Sequence, residues 1–380
     1  MNKVTIFYTR VLIFLSFVSF PIIFFLIWIK RNKKNKQPLK ILVIPQLTRI
    51  GDIICSTPVF SALKDEHPDC HISVLSSLNA SGIIEDNPRV DEIIIIENYQ
   101  TDFFKLITKI KNDEFNVGIS LSGTALSSLL FFFGLIPERI KITRPNRPIA
   151  EILTDWLCNK KEIYATLSYL PLFYLKLLKY LGINKTIVKK EVYISSDSDK
   201  KITAWLNQKE ILPDDQVVGI SLTAGNKIKE WGDNKFMALT NKITEQYGMK
   251  IILIGSYRDQ ERADNFIKLV SGNGCYVNGT GFPLNDLPAL IKRFNYFISV
   301  DTGPVHIAEA LGIPLIDILG PVNDIELTPK GEFVRIIKPS DNIPPTIFAF
   351  WETGDKKSAT QALDSISAEE VFNAFKSLIK

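Results

Sequence analysis

The chain reads as an α/β protein built from two doubly wound halves behind an N-terminal apolar span, and three observations support that expectation. Short β-rich runs alternate with amphipathic segments in the rhythm of βα units, which implies parallel sheets covered by helices on both faces. The series runs down after residue 181 and restarts at VVGISL, residues 217–222, behind Pro213, Asp214 and Asp215. Residues 11–29 form an uncharged run rich in Phe, Ile and Leu, about the length needed to cross a bilayer core as a helix.

In chain order, ILVI at 41 predicts the first strand and residues 57–66 a helix, followed by HISVL at 71, a short helix near Ala80 and EIIII at 92. A helix over 103–111 leads to NVGISL at 116. The uncharged stretch 117–136 resembles a second span, but Gly118, Gly123, Gly134 and several serines interrupt it, so it reads as a buried strand and helix. Residues 150–181 read as helical and aromatic, and SSDSDK at 195–200 as the polar cap of a helix over 199–208. The second series comprises KIILIGS at 250, CYVNGTG at 275, YFISV at 296 and PLIDILGP at 314. A last helix follows Ser367, with acids in its first turn. The expected division is a transmembrane anchor at 11–29, a basic linker at 30–39, a first domain at 40–210, a second at 211–365 and a C-terminal helix at 366–380.

Eight of the 45 Lys and Arg residues and none of the 41 Asp and Glu residues fall within residues 1–40, so the remainder is net acidic. That argues against a nucleic-acid surface and assigns the basic cluster KRNKKNK at 30–36 to a juxtamembrane stripe or a topology signal. By the positive-inside rule the rest of the chain faces the cytoplasm, as expected of a single-pass membrane protein. Pro21 leaves a kinked or monotopic segment open. The four cysteines show no C-x-x-C pair and no metal-ligand spacing with the three histidines. His67 and His71 are four apart but separated by Pro68, a poor zinc pair.

Ligands of open parallel sheets bind at the carboxyl ends of strands, so the residues after each run are the candidates. In SVDTGPVHIAEALGIP, residues 299–314, Asp301 and Thr302 can cap a helix, Gly303 permits close approach, and His306 lies in the first turn. The free amides of such a helix start suit a diphosphate, although a plain N-cap has the same pattern. In SLTAGNKIKEW, residues 221–231, Thr223, Gly225, Lys227 and Lys229 follow another strand, and a lysine is a natural phosphate point charge. In QLTRIGDIICSTPVF, residues 46–60, Gly51 is followed by Asp52, whose charge would repel phosphate; its plain reading is a helix N-cap. The basic run RIKITRPNR, with Arg139, Lys141, Arg144 and Arg147, is either an acceptor-binding surface or a solvated face.

The blocks ILVIPQLTRIGDIICSTPVFSALKDEHPDCHISVL, NKIKEWGDNKFMAL and FISVDTGPVHIAEALGIPLIDILGP, in this order and spacing, resemble the lipopolysaccharide heptosyltransferase family, family nine of the glycosyltransferases. The resemblance implies a GT-B architecture, two Rossmann-like domains facing across a cleft, with the C-terminal helix returning toward the first. It further implies a metal-independent, inverting transfer of a sugar, heptose in the best-known members, from an ADP-linked donor to lipopolysaccharide or another lipid-linked cell-surface glycan, with no cofactor. Asp52 matches the family's general base and Lys229 its donor-phosphate lysine ahead of Trp231. Asp301, Thr302, Gly303 and His306 match its donor block. Thr223 and Asp259 fall near donor-loop and nucleoside positions, and Arg139 and Arg144 are the acceptor candidates. Pro45 and Gln46 stand where family members commonly carry a basic residue, and an N-terminal anchor is not usual in the family. The alternatives are a sugar-nucleotide epimerase of the same architecture and a non-catalytic, membrane-tethered nucleotide-sugar-binding protein.

Overall fold

The computed structural model describes residues 3–32, 38–270, 274–340, 342–353 and 355–379, and the chain divides into two compact units, Met1–Lys189 and Lys190–Lys380. Lys33, Lys34 and Lys36 of the basic cluster lie outside the described residues.

Unit 1 opens with one long helix, α1 (Lys3–Asn32), which contains the whole uncharged run. Then come β1 (Lys40–Ile44), α2 (Ile50–Glu66), β2 (His71–Ser77), α3 (Leu78–Ser81), β3 (Glu92–Ile96) and α4 (Tyr99–Asp113). They are followed by β4 (Val117–Ser120), α5 (Ala125–Phe133), β5 (Glu138–Thr143), α6 (Ile149–Ile152), β6 (Lys160–Ile163) and α7 (Leu170–Lys176). The sheet is parallel in the order β3-β2-β1-β4-β5-β6. Residues 117–136 are a buried strand and helix, β4 and α5, with Leu129 to Phe132 fully enclosed. The region 150–181 is not helical throughout: the short edge strand β6 interrupts it.

Helix α2 starts seven residues earlier than its pattern indicates and continues through Pro58. A proline at that position cannot donate to the Ile54 carbonyl four residues back. The Thr57 hydroxyl donates to that carbonyl instead, at 2.7 Å, so the Thr-Pro pair satisfies its own defect.

Unit 2 comprises α8 (Ser196–Gln208), β7 (Val217–Ser221), α9 (Asp233–Tyr247), β8 (Lys250–Ile254), α10 (Gln260–Leu269), β9 (Tyr276–Asn278) and α11 (Leu287–Ile291). The chain ends with β10 (Tyr296–Val300), α12 (Gly303–Leu311), β11 (Leu315–Ile318), β12 (Val334–Ile337), α13 (Lys356–Asp364) and α14 (Ala368–Lys376). Its parallel sheet runs β12-β11-β10-β7-β8-β9, the same winding as unit 1 counted from its own first strand. In both, the sheet order reverses beside the unit's first strand, which is where doubly wound sheets open a ligand crevice.

Two expectations change here. Helix α8 belongs to unit 2 and not to the first domain, because Ser198 donates to Asp286 at 2.7 Å and Lys201 pairs with the same carboxylate ahead of α11. The C-terminal helix was expected to return toward the first domain; instead Val371, Phe372 and Phe375 of α14 enter the core of unit 2 against α9. A Ser367–Glu370 capping box fixes where that helix begins.

Gly219 sits mid-strand in β7 under the ring of Phe294, where an added Cβ would lie 2.1 Å from Cδ2. Gly219→Ala is therefore expected to lower the unfolding midpoint, by roughly 1–3 kcal/mol of overpacking. Gly225→Ala, with nothing within 4 Å of its added Cβ, should leave it unchanged in the same denaturation series.

Candidate active site

A buried ion pair in unit 2 joins the segments that follow β7 and β10, neighbours in the sheet. After β7 the chain forms a loop closed by a short 3-10 turn at Lys227–Lys229, whose first amides are capped by the Asn226 side chain. Two residues later Trp231 is buried, packs edge-on to Phe236 at 4.9 Å and donates its indole N–H to the Ile366 carbonyl at 3.0 Å. Lys235 donates to the carbonyls of Leu363, Asp364 and Ile366, so this loop is tied to the α13–α14 corner. With the loop so anchored, the Lys229 ammonium reaches Asp301 at the end of β10, at 2.6 Å with both side chains largely buried.

Asp301 leads directly into α12. Thr302 is its N-cap in extended conformation and makes no side-chain cap bond, and Pro304 occupies the first turn. The amides of a helix start lack intrahelical partners and sit at the positive end of the dipole. Lys229, Thr302 and Gly303 therefore bring a cation and a helix start to one strand end, an arrangement that can hold a diphosphate. Thr223 lies half-buried on the same loop as Lys229, where its backbone carbonyl accepts from Ser221.

Beneath this turn lies a second set of charges that the sequence motifs did not single out. Lys190 Nζ lies 3.1 Å from His306 Nδ1 and donates to Glu309 at 2.5 Å, and the same Nδ1 lies 3.6 Å from the Glu309 carboxylate. Burial pushes the Glu309 carboxyl up, but the His306 hydrogen bond and the Lys190 charge outweigh it and hold it below its ordinary value. Glu309 was visible as a partner for His306 three residues on along a helix; Lys190, 116 residues distant, carried no local signal. Asp317 of β11 is fully buried, and neither carboxylate oxygen meets a hydrogen-bond partner among the described residues. Burial, then the charge of Asp301, push its carboxyl well above the usual carboxylate range.

In unit 1, Asp52 lies in the first turn of α2, at the end of β1, and is buried. It is not the N-cap: that position is Arg49, and Asp52 lies three residues inside, where the helix dipole favours its charge. Burial, followed by the charge of Asp52, pushes the phenol of Tyr174 on α7 well above its ordinary value, keeping it a neutral hydroxyl within electrostatic reach of that carboxylate.

Three candidates have other work. Arg139 is buried and spends its guanidinium on the carbonyls of Leu157, Ile136 and Pro137, at 2.6, 2.6 and 3.0 Å, so it braces a loop and is not placed to meet an acceptor. Arg144 pairs with Glu151 at 3.2 Å, while Lys141 and Arg147 both engage Asp155. The basic run is thus largely enclosed, with three of its four bases engaged by two carboxylates. Asp259 accepts from the backbone and hydroxyl of Ser256 as half of a capping box, which commits one carboxylate oxygen to the turn after β8. Asp197 and Asp199 lie in the first turn of α8, whose cap is Ser195.

The model for glycosyltransferase family 9 (heptosyltransferase) matches residues 103–344, more than half of the chain. Lipopolysaccharide heptosyltransferase 3 of Escherichia coli strain K12 is 25% identical over 352 residues, covering 87% of this chain and 95% of that protein. Among solved structures, a glycosyl transferase family 9 protein from Veillonella parvula superposes with a TM-score of 0.78 at 20% identity, covering 90% of this chain and 98% of the other. The E. coli ADP-heptose lps heptosyltransferase II does so with a TM-score of 0.72 at 19% identity, with the same coverage.

The raised carboxyl of Asp317 has a measurable sign. A group that binds its proton more tightly in the folded than in the unfolded state loses its contribution to stability progressively as pH rises from its unfolded value of about 4 through its raised folded value. The neutral isostere Asp317→Asn should therefore gain in melting temperature relative to wild type as pH rises from about 5 to about 8. A difference that stays constant with pH would show that Asp317 ionises normally.

Proposed function

The chain belongs to glycosyltransferase family 9, the heptosyltransferase family, and from that premise we propose that it transfers a heptose from an ADP-linked donor to a lipopolysaccharide or other lipid-linked glycan acceptor. Inversion at the anomeric carbon and independence of metal are part of the proposal. The supporting observation is the Lys229–Asp301 pair at the ends of β7 and β10, beside the start of α12. Similarity to an ADP-heptose heptosyltransferase among solved structures and to lipopolysaccharide heptosyltransferases among sequences supports the choice of donor and acceptor.

The chemistry divides between the units. Unit 2 holds the donor: Lys229 and the amides of Thr302 and Gly303 neutralise the diphosphate as its bond to the sugar breaks, the role a metal ion fills elsewhere. Asp301 orients Lys229 through their ion pair. The Lys190–His306–Glu309 cluster locks the first turn of α12, which keeps those amides in place. Unit 1 supplies Asp52, which takes the proton from the acceptor hydroxyl as that oxygen attacks the anomeric carbon from the face opposite the leaving group. Its negative charge also favours the oxocarbenium character of the transition state. A carboxylate buried in the first turn of a helix, where the dipole favours its charged form, suits a base.

The apolar α1 supports attachment to a bacterial inner membrane, with both units on the cytoplasmic side where nucleotide sugars are made.

Two variants separate base from donor site. Asp52→Asn should lower the transfer rate by roughly 10²–10⁴-fold while leaving stabilisation by ADP in a thermal-shift assay unchanged. Lys229→Gln should weaken that stabilisation by about 1–3 kcal/mol of lost charge-assisted hydrogen bonding. Full transfer activity in Asp52→Asn contradicts the base assignment. Wild-type protein that binds ADP-heptose but neither transfers nor hydrolyses it contradicts the enzyme reading.

A further inference from the structure

Helix α1 has a seat in the structure. Thr9, Leu12, Ile13, Ser16 and Ile27 are buried, and with the half-buried Phe20 and Ile23 they form one stripe at helical spacing. Leu12 and Ile27 enter the core of unit 1, with Tyr8, Phe20 and Ile23 packed against it. Tyr8 meets Phe103 of α4 edge-on at 6.3 Å, and Phe20 stacks on Phe132 of α5 at 6.1 Å. Phe17 stacks on Trp156 at 4.9 Å, and at the far end Arg31 pairs with Glu138 at 3.2 Å. The contact runs from Tyr8 to Arg31, about 35 Å of helix.

The opposite face is apolar and open. Thirteen large hydrophobic residues of α1 are exposed, among them Phe7 at 70%, Phe14 at 66% and Ile22 at 69%. The exposed apolar surface continues onto unit 1 itself. Ile149 and Ile152 are exposed on α6, which packs against α1 and α5, and the exposed Leu153 gives its carbonyl to Trp156. Phe104 is exposed on α4 beside Phe103. A surface of this extent does not stay in water. The polar groups within the helix are already satisfied for an apolar medium: Ser16 and Ser19 donate to the carbonyls of Ile13 and Leu15. Bases stand at both ends of the uncharged run, Arg10 before it and Lys30 and Arg31 after it, as anionic headgroups require.

A helix crossing the bilayer would have to leave this seat, exposing Phe103, Phe132 and Trp156, or draw unit 1 into the hydrocarbon beside it. The second course would submerge α4 with Asp102, Lys105 and Lys109, each costing about 2.5–3.5 kcal/mol at mid-bilayer. We propose that α1 does not span the membrane but lies along it as a monotopic element, one face on unit 1 and the other in lipid, and that Phe104, Ile149, Ile152 and Leu153 enter the same leaflet. This replaces the single-pass topology expected from run length alone. It rests on the membrane attachment proposed above and is independent of the catalytic assignment.

The test uses the full chain produced in a Gram-negative host, with an epitope tag before Met1. In the monotopic arrangement the tag lies on the side of the catalytic units: protease added to intact spheroplasts leaves it whole, and lysis exposes it. The triple variant Ile149→Glu/Ile152→Glu/Leu153→Glu should raise the fraction released from membranes by alkaline carbonate several-fold, whereas Leu212→Glu, at an exposed apolar site of unit 2, should not. Tag digestion in intact spheroplasts overturns the proposal in favour of a spanning helix, as does a triple variant that extracts like wild type. Wild-type protein recovered as a soluble oligomer also overturns it, since a second copy would then cover the surface; that result removes membrane attachment as well, while leaving transfer activity to be judged by its own assay.

Discussion

Parallel pairing of a sheet's first strand with its fourth imposes the geometry on which both candidate sites depend. In each unit the chain winds outward on one side of the first strand and then crosses to the other, so the connections on either side of the reversal diverge and leave their strand ends open. In unit 2 the two strands at that point are β7 and β10, and the residues that follow them are the Lys229 loop and the Asp301 turn. In unit 1 the corresponding pair is β1 and β4, and Asp52 stands at the end of β1. The same topology thus positions a cation with a helix start in one unit and a buried carboxylate in the other.

The two units use buried charge differently. In unit 2 the cluster around α12 brings acids and bases together without neutralising them all locally: Asp301 holds Lys229, Glu309 holds Lys190 and His306, and Asp317 is driven toward its neutral form. Unit 1 commits its buried bases to structure. Arg139 braces carbonyls, and Lys141, Arg144 and Arg147 are matched by Asp155 and Glu151. Within unit 1, Asp52 occupies a buried helix start, which is how one carboxylate becomes distinct from the many on the surface.

Much of this could be read from the sequence, and the parts that could not share physical causes. The central strands were readable because they are short and uniformly apolar; Asp301 follows such a run directly, and Lys229 and Asp52 lie in the segments after β7 and β1. Strand β5 and the edge strand β6 were not, since RIKIT and KKEI carry charges whose partners lie elsewhere in the chain. The surroundings of the basic run could not be read either: Arg144 meets Glu151 and Arg139 meets backbone carbonyls only in the folded chain. Lys190 and Asp317 gave no warning, because their meaning lies in contacts with residues distant in the chain. The apolar run at the front was correctly read as a helix, but its packing on Phe103, Phe132 and Trp156 is tertiary information that length and composition do not contain.

The central claim is that the donor diphosphate is held where β7 and β10 end. A crystal structure with ADP bound tests it most directly. The account predicts a phosphate oxygen within hydrogen-bond reach, about 3 Å, of both Lys229 Nζ and a backbone amide at Thr302 or Gly303. ADP seated at the end of β1 beside Asp52, or bound in unit 2 with no phosphate contact to Lys229, would contradict it.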